Sequence, residues 1–353
     1  MALIAESVTV VVPTAGRSPL LGNCLAALRQ EGGAALRIVV IEQGIAPAAI
    51  EDSAGVERVR TPELLGFARA ANLGIAAART PWIALVNDDA VPRVPWLGPL
   101  VEALARDARA AAAQGVNLER AAPGHTSSPA AAHDGTPARM AQREGFESAP
   151  RDPTAPLERM RIDGCGLGWN ERWQAVQLLH RRPASEAPTA DRELFGVSAT
   201  AAVYRRSALE QVAAAGGAAF DPRLGSYYED VDLACRLRAG GFRAWLVAGA
   251  ACEHLGSATL CAGDRLALVY RNRYLVLARL LGRSFWPRLP LLLARDAATL
   301  VAAAARGDRA LAGAIAQGLA SMPLRLSGFA RLGRPLLRPA EARRAGEALG
   351  DEA

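Results

Sequence analysis

The chain has 353 residues, with 41 Lys+Arg against 35 Asp+Glu for a formal charge of +6, and all 41 basic residues are Arg. The absence of Lys excludes Schiff-base catalysis and the phosphate-gripping Lys of a P-loop, and so mild a charge does not mark a nucleic-acid-binding chain. Five scattered cysteines (Cys24, Cys165, Cys235, Cys252 and Cys261) with no C-x-x-C pair argue against a disulfide framework or a zinc site and fit a reducing cytoplasm.

Residues 8–12 (VTVVV) form a β-branched run ending at Pro13-Thr14. With no basic residue before it, this segment predicts a strand and not a signal peptide. Leu20, Leu21, Cys24, Leu25 and Leu28 recur at helical spacing over 19–30, and 38–41 again reads as a buried strand. A weaker strand over 56–60, a helix over 66–78 and an apolar strand over 82–86 complete a βαβαβ series. That series is the pattern of a mostly parallel sheet with helices on both faces. Such sheets bind ligands beyond the carboxyl ends of their strands, and two of those ends are polar, Glu42-Gln43 and Asn87-Asp88-Asp89. The first turn, PTAGR, lacks G-x-G-x-x-G, which disfavours a dinucleotide oxidoreductase.

Residues 121–157, dominated by Pro, Ala, Ser, Gly and His, predict a mobile loop. Patterning resumes at Ile162, and a small-residue strand passes into a helix through LFGVSATAAVYRRSALEQV. Glu229-Asp230 open the helix VDLACRLRAGG, which Gly240-Gly241 close, and a last short strand is predicted over 245–248, before Cys252-Glu253-His254. Beyond about residue 264 the chain reads as helices broken by Pro287, Pro290, Pro323, Pro335 and Pro339. Residues 262–353 hold 15 Arg and seven Asp+Glu, so the basic excess belongs to this tail. No charge-free apolar stretch reaches the ~18 residues of a membrane span, so a membrane-spanning helix is not expected.

Three local features carry chemistry, and each has a plainer reading. Asn87-Asp88-Asp89 offers hard oxygen ligands suited to Mg²⁺ or Mn²⁺, and it is equally good turn chemistry. Glu229-Asp230 sit where acids favour a helix N-terminus without any catalysis. His254 is either a structural strand-end histidine or a Mn²⁺ ligand beside carboxylates.

The ordered motifs VTVVVPTAGR, GFARAANLGIAAA, WIALVNDDAVPRVPWL, FGVSATAAVYRRSAL, FDPRLGSYYEDVDLACRLRAGGFRAWLV and CEHLGSAT together resemble the family 2 glycosyltransferases, and among them the rhamnosyltransferase-like bacterial members, over about residues 7–275. The resemblance implies an α/β fold of the GT-A type, with a mostly parallel central sheet, over a catalytic domain 1–263, followed by an Arg-rich helical extension 264–353. It implies inverting transfer of a sugar such as rhamnose from a nucleotide-diphosphate donor to a glycan or lipid-linked acceptor, with Mg²⁺ or Mn²⁺ as cofactor. By the same resemblance Asp89, with Asp88 and His254, would hold the metal. Asp230 would act as general base with Glu229 beside it. Pro13, Thr14, Glu42, Asn87 and Asp88 would meet the nucleotide, and Arg271 and Arg273 the pyrophosphate. Asn87 stands where the family's first metal-motif acid is usual, and Glu42-Gln43 where Asp-Asn is usual.

Two other readings remain at the level of sequence: a sugar nucleotidyltransferase, and a non-catalytic nucleotide-sugar-binding subunit of a glycan-assembly complex. No nucleic-acid partner is expected. The expected location is the cytoplasm. For the tail, a helical cap packed on the catalytic domain and peripheral contact with the inner face of the cytoplasmic membrane stand side by side.

Overall fold

A computed structural model describes residues 6–44, 55–119, 160–214, 216–255, 262–329 and 335–337; the expected loop over 121–157 lies outside the described residues. The strands are β1 (Val8–Thr14), β2 (Arg37–Gln43), β3 (Val56–Thr61), β4 (Trp82–Val86), β5 (Ala90–Arg93), β6 (Ala110–Glu119), β7 (Arg161–Gly164), β8 (Leu167–Trp169), β9 (Ala175–Gln177), β10 (Arg192–Leu194), β11 (Ala201–Arg205) and β12 (Arg243–His254). Among the described residues the helices of four or more residues are α1 (Leu21–Gly32), α2 (Phe67–Ala77), α3 (Leu97–Arg106), α4 (Arg206–Gln211), α5 (Glu229–Ala239), α6 (Ala262–Leu281), α7 (Leu289–Ala305), α8 (Arg309–Ser321) and α9 (Pro323–Leu326).

The main sheet runs β10-β12-β6-β11-β4-β1-β2-β3, with β5 paired to β12 and β7 to β6. Strands β3, β2, β1 and β4 are parallel, as the βαβαβ pattern requires, and β12 is parallel to β6. Between these two parallel groups lies β11, antiparallel to both β4 and β6. Alternation sends Val10, Val12, Val40 and Val86 to the face covered by Leu21, Cys24 and Leu28 of α1 and Leu100 and Leu104 of α3. Val11, Val39, Ile41 and Leu85 face the other way, onto Ala68, Ala70 and Ala71 of α2. A β-carbon on Gly74 would come within 2.2 Å of Val11 Cγ1, so α2 lies against β1 at a distance only glycine permits.

The expected short strand at 245–248 is part of a longer one. β12 runs for 12 residues and is interrupted by a register shift between Leu246 and Ala251, after which it continues to His254. The irregularity absorbs the small residues around Gly249, which read locally as a strand end. This continuation carries His254 to the end of the sheet where β4 also ends.

The helix that opens the expected extension is buried against the rest of the chain. Tyr274, Leu277, Ala278 and Leu281 of α6 share a core with Leu224 and with Tyr228, Val231 and Cys235 at and within α5. Arg279 of α6 reaches into this contact and pairs with both Asp221 and Asp232, which also bind Arg223 and Arg236 respectively. Asp221 and Asp232 are at most 1% exposed. Removing one partner of such a buried group costs about 3–5 kcal/mol, because it strands the opposite charge. Arg279→Met is therefore expected to lower unfolding stability by about that amount in chemical denaturation. A loss near zero would show that Arg223 and Arg236 suffice.

Candidate active site

Three segments converge at the carboxyl end of β4. Asn87 donates its backbone N–H to the Thr200 carbonyl at 2.8 Å, tying the Asn87-Asp88-Asp89 turn to the start of β11. Asp88 is buried, and its Oδ2 accepts the Thr14 hydroxyl at 2.6 Å, so the end of β1 holds this carboxylate directly. Ser18 Oγ donates to the Asp88 carbonyl at 2.9 Å. Burial pushes the Asp88 carboxyl up to about 7, against the Thr14 bond that lowers it, and the neighbouring Asp89 charge adds to the rise.

Asp89 faces a different environment. His254 stands beside it because β12 pairs with β5 in the register His254 to Ala90, and Leu255 donates its N–H to the Asp89 carbonyl at 3.1 Å. Asp89 Oδ1 lies 3.3 Å from His254 Nε2, and His254 Nδ1 lies 2.9 Å from Asp163 Oδ2. Burial raises Asp89 and Asp163 and lowers His254, but the ring and its two carboxylates outweigh that. Both acids are held below, and the imidazole well above, their ordinary values.

With its Nε2 proton released, His254 could join Asp89 Oδ1, 3.3 Å away, as one of two ligands to a divalent ion that completes its shell with substrate phosphates and water; among the described residues no group of three or more His, Cys, Asp or Glu is arranged to hold one by itself. A histidine that binds metal through one nitrogen usually donates the other to a carboxylate, a backbone carbonyl or water, and Asp163 stands where it could take that part toward Nδ1. Asp163 gave no signal in the sequence; it is a single acid in the segment I-D-G, brought to His254 only by the pairing of β7 with β6.

The second group of acids is Glu229-Asp230 at the start of α5. Asp230 Oδ2 accepts the Ala199 N–H at 3.4 Å and Oδ1 accepts its neighbour Val231 N–H at 2.8 Å. Ala199 adjoins Thr200, so Asp230 and Asn87-Asp88-Asp89 are fastened to the same short stretch ahead of β11. Phe195, Val197, Tyr204, Leu233 and Ala234 line the pocket at Asp230. In this apolar setting burial pushes the Asp230 carboxyl up to about 6. Glu229 is raised well above its ordinary value by burial and by the Asp230 charge, and its Oε2 is buried without a protein partner. Capping leaves a carboxylate satisfied, as Asp230 is by two backbone N–H groups, whereas Glu229 Oε2 is not.

The loop ahead of this pair is strained and held. Tyr227 and Tyr228 both adopt left-handed φ values, 66° and 69°. Asn272 Nδ2 donates toward the carbonyls of Leu224, Ser226 and Tyr227 at 2.7 to 3.0 Å, and Ala68 and Phe67 at the start of α2 bond Gly225 O and Ser226 Oγ. A β-carbon on Gly66 would meet Gly225 backbone at 3.3 Å. The motif GFARA thus supports the loop of the motif YYED. Burial pushes the Tyr227 phenol up to about 12, against the Arg265 charge that lowers it, and the charges of Glu229 and Asp89 add to the rise.

The remaining expected residues fall as follows. Glu42 is buried at the end of β2 with Oε1 and Oε2 bound to Arg58 and Arg60, and Pro13 is buried one residue before the end of β1, beside Ile41. Arg271 lies against the Leu224 carbonyl. Arg273 is 3% exposed and bound to Asp296 of α7, which also accepts the Tyr274 hydroxyl. A guanidinium already buried and neutralised is not placed to meet a pyrophosphate, which corrects the expectation for Arg273. In the R-N-R motif it is Asn272, between the two, that acts on the site, through the loop.

Residues 9–213 match the sequence family described as glycosyl transferase family 2. The chain belongs to this family. It is 33% identical over 101 residues to the pre-mycofactocin glycosyltransferases of two Mycobacterium tuberculosis strains, CDC 1551 / Oshkosh and ATCC 25618 / H37Rv. That match takes in 27% of this chain and 20% of each relative, so it spans about a fifth of their length. Among solved structures, GalNAc-T7 with UDP, GalNAc and Mn²⁺ superposes with a TM-score of 0.55 over 79% of this chain and 48% of that one, at 12% identity. The shared architecture is the GT-A glycosyltransferase fold. A mannosyltransferase from Pyrobaculum calidifontis in complex with GDP-Man and Mn²⁺ is matched over 98% of this chain and 88% of that one, with 18% identity and a TM-score of 0.45.

The buried acid pair has a measurable cost. A carboxyl whose folded pKa is raised above its unfolded value favours the native state least once pH exceeds both values. Replacing Glu229 by Gln removes that penalty, so Glu229→Gln is expected to gain thermal stability relative to the parent as pH rises from about 4 to 8. A stability difference independent of pH would show that Glu229 is not raised.

Proposed function

We propose that this protein is an inverting, metal-dependent glycosyltransferase that moves a sugar from a nucleotide-diphosphate donor to a hydroxyl of a glycan or lipid-linked acceptor. The single observation that carries the reading is the fastening of two differently tuned acid groups to one sheet end: Asp89 with His254 and Asp163, and Asp230 with Glu229. The UDP and Mn²⁺ held by GalNAc-T7, a protein of the same fold, support the donor class. Rhamnose is the sugar proposed from the motif resemblance, and peripheral contact with the inner face of the cytoplasmic membrane, through helices of the extension 264–353, is proposed with the lipid-linked acceptor.

In this reading Asp89 and His254 hold Mg²⁺ or Mn²⁺, with Asp88 behind them on the Thr14 hydroxyl. The chemistry such an ion supplies when bound is neutralisation of the charge growing on the departing nucleoside diphosphate. Asn87 presents the turn, while Thr14, Pro13 and Glu42 border the nucleotide at the ends of β1 and β2. Glu42 meets the ribose with its carboxylate already oriented by Arg58 and Arg60, and Arg271 is the remaining Arg proposed for the pyrophosphate. Asp230 accepts the proton of the attacking acceptor hydroxyl. Its raised pKa suits this work, since a base near the working pH both takes a proton readily and is ionised in time to do so. Burial keeps that affinity high.

General-base assistance is worth about 10²–10⁴-fold, so Asp230→Asn is expected to lose turnover by that factor while nucleotide binding persists. Near-normal turnover would remove Asp230 from the role. Because the base must be ionised, kcat/KM is expected to rise with pH through an apparent pKa of about 6, which belongs to the Glu229–Asp230 pair jointly. A profile flat from pH 5 to about 8 would contradict the assignment. Asp163→Asn should weaken Mn²⁺ binding, read by calorimetry without donor, about 10–100-fold, and Asp89→Ala should abolish the Mn²⁺ dependence of nucleotide binding. Unchanged Mn²⁺ affinity in both would place the metal elsewhere. Transfer and hydrolysis across a panel of dTDP-, UDP- and GDP-sugars tests the donor class and separates a transferase from a nucleotidyltransferase or a silent binding subunit.

A further inference from the structure

A helix that faces solvent ordinarily presents polar residues outward. α7 does the reverse. Its inward side is set by Leu292, Asp296 and Ala303, while its exposed positions are Pro290, Leu291, Ala294, Arg295, Ala297, Ala298, Val301, Ala304 and Ala305. One of these nine is charged, and the two large ones, Leu291 and Val301, are 55% and 64% exposed. Leu291, Ala294, Ala298, Val301 and Ala305 follow one another at steps of three and four, so they form one continuous outer row. Trp286, just before the helix, and Leu324, in α9, add exposed apolar surface in the same part of the chain.

The charges around this row have one sign. From 282 to 329 there are six Arg, at 283, 288, 295, 306, 309 and 325, against Asp296 and Asp308. Asp296 is buried on Arg273, and Asp308 caps α8 by accepting the Leu311 N–H. By helical period, Arg288, Arg295 and Arg306 lie along one flank of the apolar row. Two copies paired through this face would set these Arg flanks close together without an acid to answer them. An anionic lipid surface answers them directly, with long Arg stems reaching headgroups while Leu291, Val301 and Trp286 enter the interface. Among the described residues no helix is long and apolar enough to cross a membrane, so the contact is one of lying on the surface.

We propose that the outer face of α7, with Leu291 and Val301 as its apolar contacts and Arg288, Arg295 and Arg306 as its flanking cations, docks this protein on an anionic bilayer. This specifies the membrane contact of the function proposed above but is independent of its transfer chemistry, and the test uses no sugar nucleotide, so the two fail separately. The full chain is floated with vesicles of phosphatidylcholine containing phosphatidylglycerol and with vesicles of phosphatidylcholine alone. Binding is expected to the anionic vesicles and to weaken steeply with added salt. Each guanidinium near such a surface contributes about five-fold, so Arg288→Gln with Arg295→Gln should weaken binding about 25-fold. Leu291→Asp with Val301→Asp should abolish it while leaving the melting temperature near the parent's, since both side chains are exposed. No binding to anionic vesicles, equal binding to neutral ones, or binding unaffected by the aspartates would overturn the proposal. So would a dimer in analytical ultracentrifugation that the aspartates convert to monomer without changing vesicle binding.

Discussion

The structure turns on Arg279. From within α6 it inserts between Asp221, ahead of the Tyr227-Tyr228 loop, and Asp232, in the first turn of α5. Both acids are buried, and both would be untenable as isolated charges. Their joint dependence on this guanidinium fixes α5 against α6, and α5 carries Glu229 and Asp230. Asn272, two turns earlier on the same helix, sets the backbone of the left-handed Tyr227-Tyr228 turn that leads into the pair. The first helix after residue 261 is thus part of the site's support, although it contributes no acid to the site.

The two acid groups obtain opposite electrostatics from comparable burial. Asp89 and Asp163 enclose His254, and the three stabilise one another as ions, with Asp89 Oδ1 3.3 Å and Asp163 Oδ2 2.9 Å from the two ring nitrogens. Among the described residues no ion pair reaches Glu229 or Asp230, and burial raises both. That is unfavourable for stability and favourable for accepting a proton. The one sheet end thereby offers a negatively charged, preordered side and a proton-accepting side, joined through the Ala199–Thr200 backbone.

Much of the fold was legible because its causes are local. The β-branched runs at β1, β2 and β4 and the Leu and Ala spacing of α1 and α2 report the faces that must be buried, and the polar residues just past those strands mark where the sheet ends. Asn87-Asp88-Asp89 stood out for that reason, Asp230 as an acid at the opening of a helix, and His254 as a lone imidazole after the predicted strand over 245–248. The antiparallel insertion of β11 and the continuation of β12 past its irregularity were not legible, because strand order and register depend on partners distant in sequence. Asp163 was invisible on the same ground: nothing in I-D-G distinguishes it from a turn acid until β7 pairs with β6. Arg273 was misread because a guanidinium in a basic helix looks available until its buried partner Asp296, 23 residues on, is seen.

By itself, then, the sequence determined the class of the sheet, the ends at which chemistry would occur and the sign of the tail's charge, since each follows from side-chain period and composition along short stretches. The tertiary structure alone decided which acids share a histidine, which are left to hold protons, which arginines are spent on buried carboxylates and which face outward. These are properties of distance and solvent exclusion, and neither is defined for a residue until the chain around it has closed.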